Sequence, residues 1–248
     1  MKNKKKIAII FKVFKFIFIV GIIISLINIG IWYFQNKESS NIKEELNDLI
    51  EIVNTEENDE FKIDFETLKE KNSDTVAYLK VNNTNIDYVV VKGNDNSYYL
   101  KHNFNKDYNR SGWIFMDYLN KFDGSDKNII IYGHNTLDGS FFGTLRNVVK
   151  EDWYTNKENH IITLISENET FYYQVFSTYS IDVEDYYITT DFKNNNEFDV
   201  FVNTLRKRSV FDYEVPVDGN DVILTLSTCT GNGTRRMVLH AKKINIWL

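Results

Sequence analysis

The chain is 248 residues long, with 35 acidic residues against 29 lysines and arginines and a formal net charge of −6. Six of the lysines fall in the first 15 positions, so the rest of the chain is more acidic than the total, which argues against nucleic acid as a partner. A single cysteine excludes an internal disulfide, and one cysteine with four scattered histidines supplies no spaced metal-ligand cluster. No residue calls for a metal or another cofactor.

The first element is the uncharged run 16–34, FIFIVGIIISLINIGIWYF, whose only amide is Asn28. As a helix it is long enough for a bilayer core of ~30 Å. Lys2, Lys4, Lys5, Lys6, Lys12 and Lys15 precede it, which predicts a cytoplasmic N-terminus and an exterior remainder. A cleaved secretory signal is the competing reading. Against it stand the length of the run and its bulky end, Ile31-Trp32-Tyr33-Phe34, suited to an interface belt. The division predicted is a basic cytoplasmic segment over 1–15, an anchor over 16–34, a helical segment over 35–74 and a larger domain over 75–248.

In the helical segment, Ile42, Leu46, Leu49, Ile50 and Val53 form a one-sided stripe that predicts a helix through about residue 54. Asn54–Glu60, acidic and polar, breaks it. A second, short helix is predicted at 64–71, with Phe65 and Leu68 inward. From residue 75 short β-branched and aromatic runs alternate with Asn, Asp and Gly turns. The predicted strands are 75–81, 86–92, 112–117, 128–133, 160–166, 170–181, 221–228 and 236–247. Eight short strands point to a closed or nearly closed β-barrel. Phe198, Phe201, Val202 and Leu205 interrupt the pattern with helical spacing, predicting a helix over 194–208 between two strands.

Three of the predicted strands carry chemistry at their ends. Cys229 ends one, His134 follows another, and Arg236 opens the last. A lone thiol in an oxidising exterior setting is either a reactive group or buried filler. To attack an amide carbonyl it must be a thiolate, which needs a base or a nearby positive charge. His134 supplies a base that later protonates the departing amine. Arg236, permanently charged and forked, suits the developing oxyanion. The bland readings are a buried small hydrophobe, a structural histidine and a solvated arginine, and Arg235 competes with Arg236 for the position facing the thiol. His240 shares a strand face with Arg236 but lies ~13 Å along the strand, too far for the same site. His102 and His160 lie in polar, loop-like contexts. The order, histidine before cysteine with no later asparagine-bearing motif, is unlike papain-type proteases.

Taken together, these segments resemble the sortases, specifically class B. The residues that carry the resemblance are Thr225-Leu226-Ser227-Thr228-Cys229 with Arg236-Met237-Val238-Leu239-His240-Ala241-Lys242, the histidine motif Ile131-Tyr132-Gly133-His134-Asn135, and Asp138–Leu145 after it. Asp95–Leu100 and Gly112–Asp117 also match, and the resemblance covers about residues 36–248. It implies an eight-stranded sortase barrel, mainly β, with N-terminal helices and a helix between strands six and seven. It further implies a membrane-anchored cysteine transpeptidase of a Gram-positive surface, with Cys229, His134 and Arg236 catalytic. Such an enzyme cleaves a sorting signal after threonine and passes the thioacyl group to an amine. For substrate contacts the resemblance suggests Asn96, Leu100, Tyr132, Tyr187, Ile188, Ser227 and Thr228. The implied partners are secreted proteins with an Asn-Pro-x-Thr or Ser/Pro-Pro-x-Thr-Gly signal, and an amine of the peptidoglycan cross-bridge or its lipid-linked precursor. The loop Thr230–Arg235 is shorter than in many class B members, which bears on loop-borne contacts. The rivals are a pilin-polymerising sortase, a peptidase that uses water as acceptor, and a surface-binding barrel without activity.

Overall fold

The computed structural model describes residues 2–54, 59–230 and 234–245. The chain divides into two compact units, 1–42 and 43–248. Helix α1 (Lys2–Asn47) contains a stretch from Ile9 that is long and apolar enough to cross a membrane, with a mean hydropathy of 2.5 over its most apolar 18-residue window. Its side chains from Phe16 to Phe34 are largely exposed, as a lipid-facing helix requires.

One sequence expectation needs correction. The apolar stripe predicts a helix through about residue 54, but α1 ends at Asn47. The Leu49 amide bonds to the Leu46 carbonyl in a tightened last turn. Strand β1 (Ile50–Asn54) then pairs antiparallel with β2 (Asp59–Ile63), Ile50 opposite Ile63. Ile50, Ile52 and Val53 are β-branched and favour extended backbone. Ile50 belongs both to the helical stripe and to an alternating pair with Ile52, and here the hairpin partner decided. Residues 55–58 of the predicted acidic break lie outside the described set. The short second helix, α2 (Phe65–Lys71), is capped by Asp64, whose carboxylate accepts from the Thr67 amide at 3.0 Å, and it buries Phe65 and Leu68.

Eight strands close into a barrel: β3 (Thr75–Val81), β4 (Asp87–Val91), β5 (Phe115–Met116), β6 (Asn128–Gly133), β7 (Ile161–Ile165), β8 (Thr170–Asp182), β9 (Ile223–Thr230) and β10 (Arg235–Ile244). The order around the barrel is β10-β8-β7-β3-β4-β5-β6-β9. Seven of the predicted strands correspond closely. The eighth, 112–117, shrinks to the two residues of β5. Gly112 adopts φ +59°, and a Cβ there would lie 2.3 Å from the Tyr99 carbonyl oxygen, so the chain turns rather than extends. The last three residues, 246–248, are outside the described set.

A short helix, α3 (Glu151–Thr155), precedes β7. Helix α4 (Asn195–Arg208) lies between β8 and β9, the sixth and seventh barrel strands. Asn194 caps it by accepting from the Glu197 amide at 3.0 Å. Its stripe, Phe198, Phe201, Val202 and Leu205, packs against Phe176, Tyr179, Ile223 and Val238 of the barrel wall. Burying each such side chain stabilises by roughly 1.5–3 kcal/mol. The opposite end of α4 positions the site: Arg208 of its last turn pairs with Glu184 on the loop leaving β8.

Candidate active site

Strand direction assembles the site. β6 and β9 are parallel neighbours, with Tyr132 opposite Ser227 and Gly133 opposite Thr228. Both therefore run out at one rim, placing His134 just past β6 and Cys229 near the end of β9. β10 returns antiparallel with Arg236 opposite Cys229. The backbone of Cys229 is thus fixed in the sheet, while its side chain and residues 231–233 of the short loop lie outside the described set.

A groove of about 240 Å³ opens at this rim. His134 and Arg236 line it, as do the other expected contacts: Asn96, Leu100, Tyr132, Tyr187, Ile188, Ser227 and Thr228. The two competing arginines are placed differently. Arg236 lines the groove, whereas Arg235 donates to the Ser180 carbonyl at 3.0 Å and sits 3.8 Å from Asp182. Alternation along a strand sends neighbours to opposite faces. Phe115, Val183, Glu184 and Asp185 also line the groove and escape the sequence reading. Phe115 sits inside the quoted 112–117 segment. The three residues after β8 carry no periodicity; the only signal was their place before the inserted helix.

His134 is held from both sides. Its carbonyl accepts from the Phe142 amide at 2.9 Å, and the Phe141 amide donates to the Tyr88 hydroxyl at 2.7 Å, so the loop folds back on the sheet. Its Nε2 lies 2.9 Å from the Leu100 carbonyl. A carbonyl only accepts, so Nε2 carries the proton and Nδ1 is left to exchange one. Burial holds the imidazole below its ordinary value, and the Leu100 carbonyl opposes that shift. Gly133 is a packing requirement: a Cβ would lie 2.5 Å from Ile114 Cδ1 and 2.7 Å from Phe142 Cγ.

His240 belongs to the core, not the groove, and is fully buried. The Thr225 hydroxyl donates to Asn128 Oδ1 at 2.7 Å, so it accepts from His240 Nδ1 at 2.8 Å. His240 Nε2 is then unprotonated and accepts from the Tyr179 hydroxyl at 2.9 Å. Asn128 Nδ2 in turn donates to the Tyr187 and Thr189 carbonyls at 3.3 and 3.0 Å. This chain of bonds anchors the groove wall, and the Tyr187 hydroxyl also meets Ser227 Oγ at 3.0 Å. His102 stacks on Tyr98, and His160 packs among Trp153, Tyr154 and Tyr213. Among the described residues no group of three or more His, Cys, Asp or Glu is placed to hold a metal ion.

The barrel is shared with known proteins. The Sortase domain matches residues 79–244. The chain is 33% identical over 221 residues to sortase B of Listeria monocytogenes, covering 87% of this chain and 89% of that protein. It is 31% identical over 217 residues to sortase B of Staphylococcus aureus, covering 86% and 88%. Among solved structures it resembles the Staphylococcus aureus sortase B–substrate complex with a TM-score of 0.69 at 34% identity, covering 74% of this chain and 85% of that one. It matches a sortase B complexed with triglycine equally well, at TM-score 0.69 and 34% identity over 74% of this chain and 86% of that one. The chain belongs to the sortase family, and both of the curated relatives named above are sortase B.

Proposed function

We propose that this protein is a membrane-anchored transpeptidase that joins secreted proteins to the cell wall through a thioacyl-enzyme on Cys229. The observation that carries this reading is the strand register, which sets Arg236 opposite Cys229 and ends the parallel neighbour β6 one residue before His134, with His134 and Arg236 lining one groove.

The thiolate of Cys229 attacks the threonine carbonyl of a sorting signal, Asn-Pro-x-Thr or Ser/Pro-Pro-x-Thr-Gly in type. The oxygen of the tetrahedral intermediate takes the negative charge, and the Arg236 guanidinium stabilises it. As the intermediate collapses the C–N bond breaks, and His134 gives the leaving amine its proton through Nδ1. An amine of the cross-bridge or its precursor then attacks the thioester, loses its proton to His134 and releases the thiolate. The lowered affinity of a half-buried His134 for protons eases the first proton donation. The substrate and triglycine complexes of the relatives support a peptide signal and an amine acceptor. The N-terminal helix is the anchor, its lysine-rich end cytoplasmic and the barrel outside.

The test is mass spectrometry of the full chain in detergent micelles with a panel of sorting peptides, with and without oligoglycine or diaminopimelate-type amines. An adduct at Cys229 and an amine-ligated product are expected, both absent in Cys229→Ala. Full cleavage by Cys229→Ala sinks the mechanism, and equal cleavage with and without amine makes the protein a hydrolase.

A further inference from the structure

Asp117 follows β5, is 2% exposed and does not line the groove, yet two groove residues end on it. Its Oδ2 accepts from Asn96 Nδ2 at 2.8 Å and from the Tyr132 hydroxyl at 2.8 Å. Its Oδ1 accepts from the Leu119 amide at 2.8 Å. Every neighbour of the carboxylate is a donor, a demand that an acceptor-only group meets and an amide does not. Asparagine in this place would turn its NH2 toward either Leu119 or the Asn96–Tyr132 pair.

The bonds also fix which atoms remain for a ligand. Asn96 Oδ1 accepts from the Tyr118 amide at 3.0 Å, so the orientation of that side-chain amide is not free to flip. One Nδ2 hydrogen goes to Asp117 and the other remains. Burial, then the charge of Asp117, raises the Tyr132 phenol far above its ordinary value, so the hydroxyl keeps its proton and spends it on the carboxylate. Its oxygen lone pairs remain.

We infer that Asp117 is a positioning residue that presents Asn96 to the bound peptide as a hydrogen-bond donor and Tyr132 as an acceptor. This rests on the reading of the groove as a peptide cleft. A bound sorting signal then offers a carbonyl to Asn96 and an N–H to Tyr132. The pattern gives the cleft a direction: a peptide lying the other way meets donor with donor.

The test measures binding of sorting peptides to the full chain carrying Cys229→Ala, in micelles, by calorimetry. A scan replacing single peptide amides by esters removes one N–H at a time. In the Cys229→Ala protein one ester is expected to weaken binding about tenfold, the size of one lost hydrogen bond. Adding Asp117→Asn is expected to weaken the parent peptide about tenfold and to erase the ester effect, as Tyr132→Phe does. In the Cys229 enzyme Asp117→Asn raises KM about tenfold with kcat held within about twofold. Unchanged binding with the same ester profile overturns the inference. So does an ester effect that survives in Asp117→Asn while the melting temperature falls, the signature of a merely structural role. If no peptide binds the Cys229→Ala protein, the sorting-peptide reading fails and this inference fails with it.

Discussion

Acid should unfold this barrel through His240. Burial, with the charge of Arg208 behind it, lowers the His240 pKa from its ordinary 6.5 to about 3. Between those values the unfolded chain carries a proton on this ring and the folded chain does not, so stability falls as pH falls. The slope approaches about 1.4 kcal/mol per pH unit, and from pH 7 to 4.5 the loss comes to about 2.5 kcal/mol. That is a large share of a typical domain stability of roughly 5–15 kcal/mol. The comparison variant is His240→Gln, whose amide can donate to Thr225 and accept from Tyr179 without titrating. Urea unfolding of both proteins at pH 7, 5.5 and 4.5 cancels every other titrating group in the difference. The parent's advantage over His240→Gln is expected to shrink by about 2.5 kcal/mol across that range. A difference that stays constant with pH, or an NMR titration of His240 near 6.5, refutes the reasoning.

Gly133→Ala should destabilise by about 1–3 kcal/mol, because its Cβ would fall 2.5 Å from Ile114 Cδ1. Ile114→Val deletes that atom and should recover part of the loss in the double variant, leaving the clash with Phe142; urea melts read both, and an unchanged Gly133→Ala would show that the rim yields. Arg236→Lys should lower kcat/KM for amine transfer by roughly 10²–10³, since a point charge does not reproduce the guanidinium fork. Normal turnover by that variant, in a peptide-ligation assay, removes Arg236 from the oxyanion role.

The regular part of this fold was legible in the sequence because it is local. Runs such as 128–133 and 161–165 are β-branched and bounded by turns, and the α4 stripe repeats at helical spacing. The hairpin β1–β2 was not legible, because Leu49, Ile50 and Val53 satisfy a helical stripe while Ile50 and Ile52 satisfy a strand alternation, and only tertiary pairing chooses. β5 was overextended because Gly112 turns the chain at a close approach to Tyr99, a contact no local pattern records. At the site, His134, Cys229 and Arg236 stood out as chemistry at strand ends. Asp117 did not: an aspartate after a strand reads as a turn residue until its two groove partners, 21 residues upstream and 15 downstream, are seen to converge on it.

The parallel pairing of β6 with β9 also has a consequence for when the protein can act. Parallel neighbours need a crossover between them, and here it comprises α3, β7, β8 and α4. His134 and Cys229 are 95 residues apart in the chain. Contacts of that range close late and slowly in folding. A chain threaded outward behind its N-terminal helix would deliver the imidazole first and the thiol near the end. Until the crossover has folded and β9 has slotted beside β6, the thiol proposed as nucleophile has neither its base nor its cation beside it. Unfinished or stalled copies would therefore be chemically silent, a latency that needs no inhibitor and no propeptide.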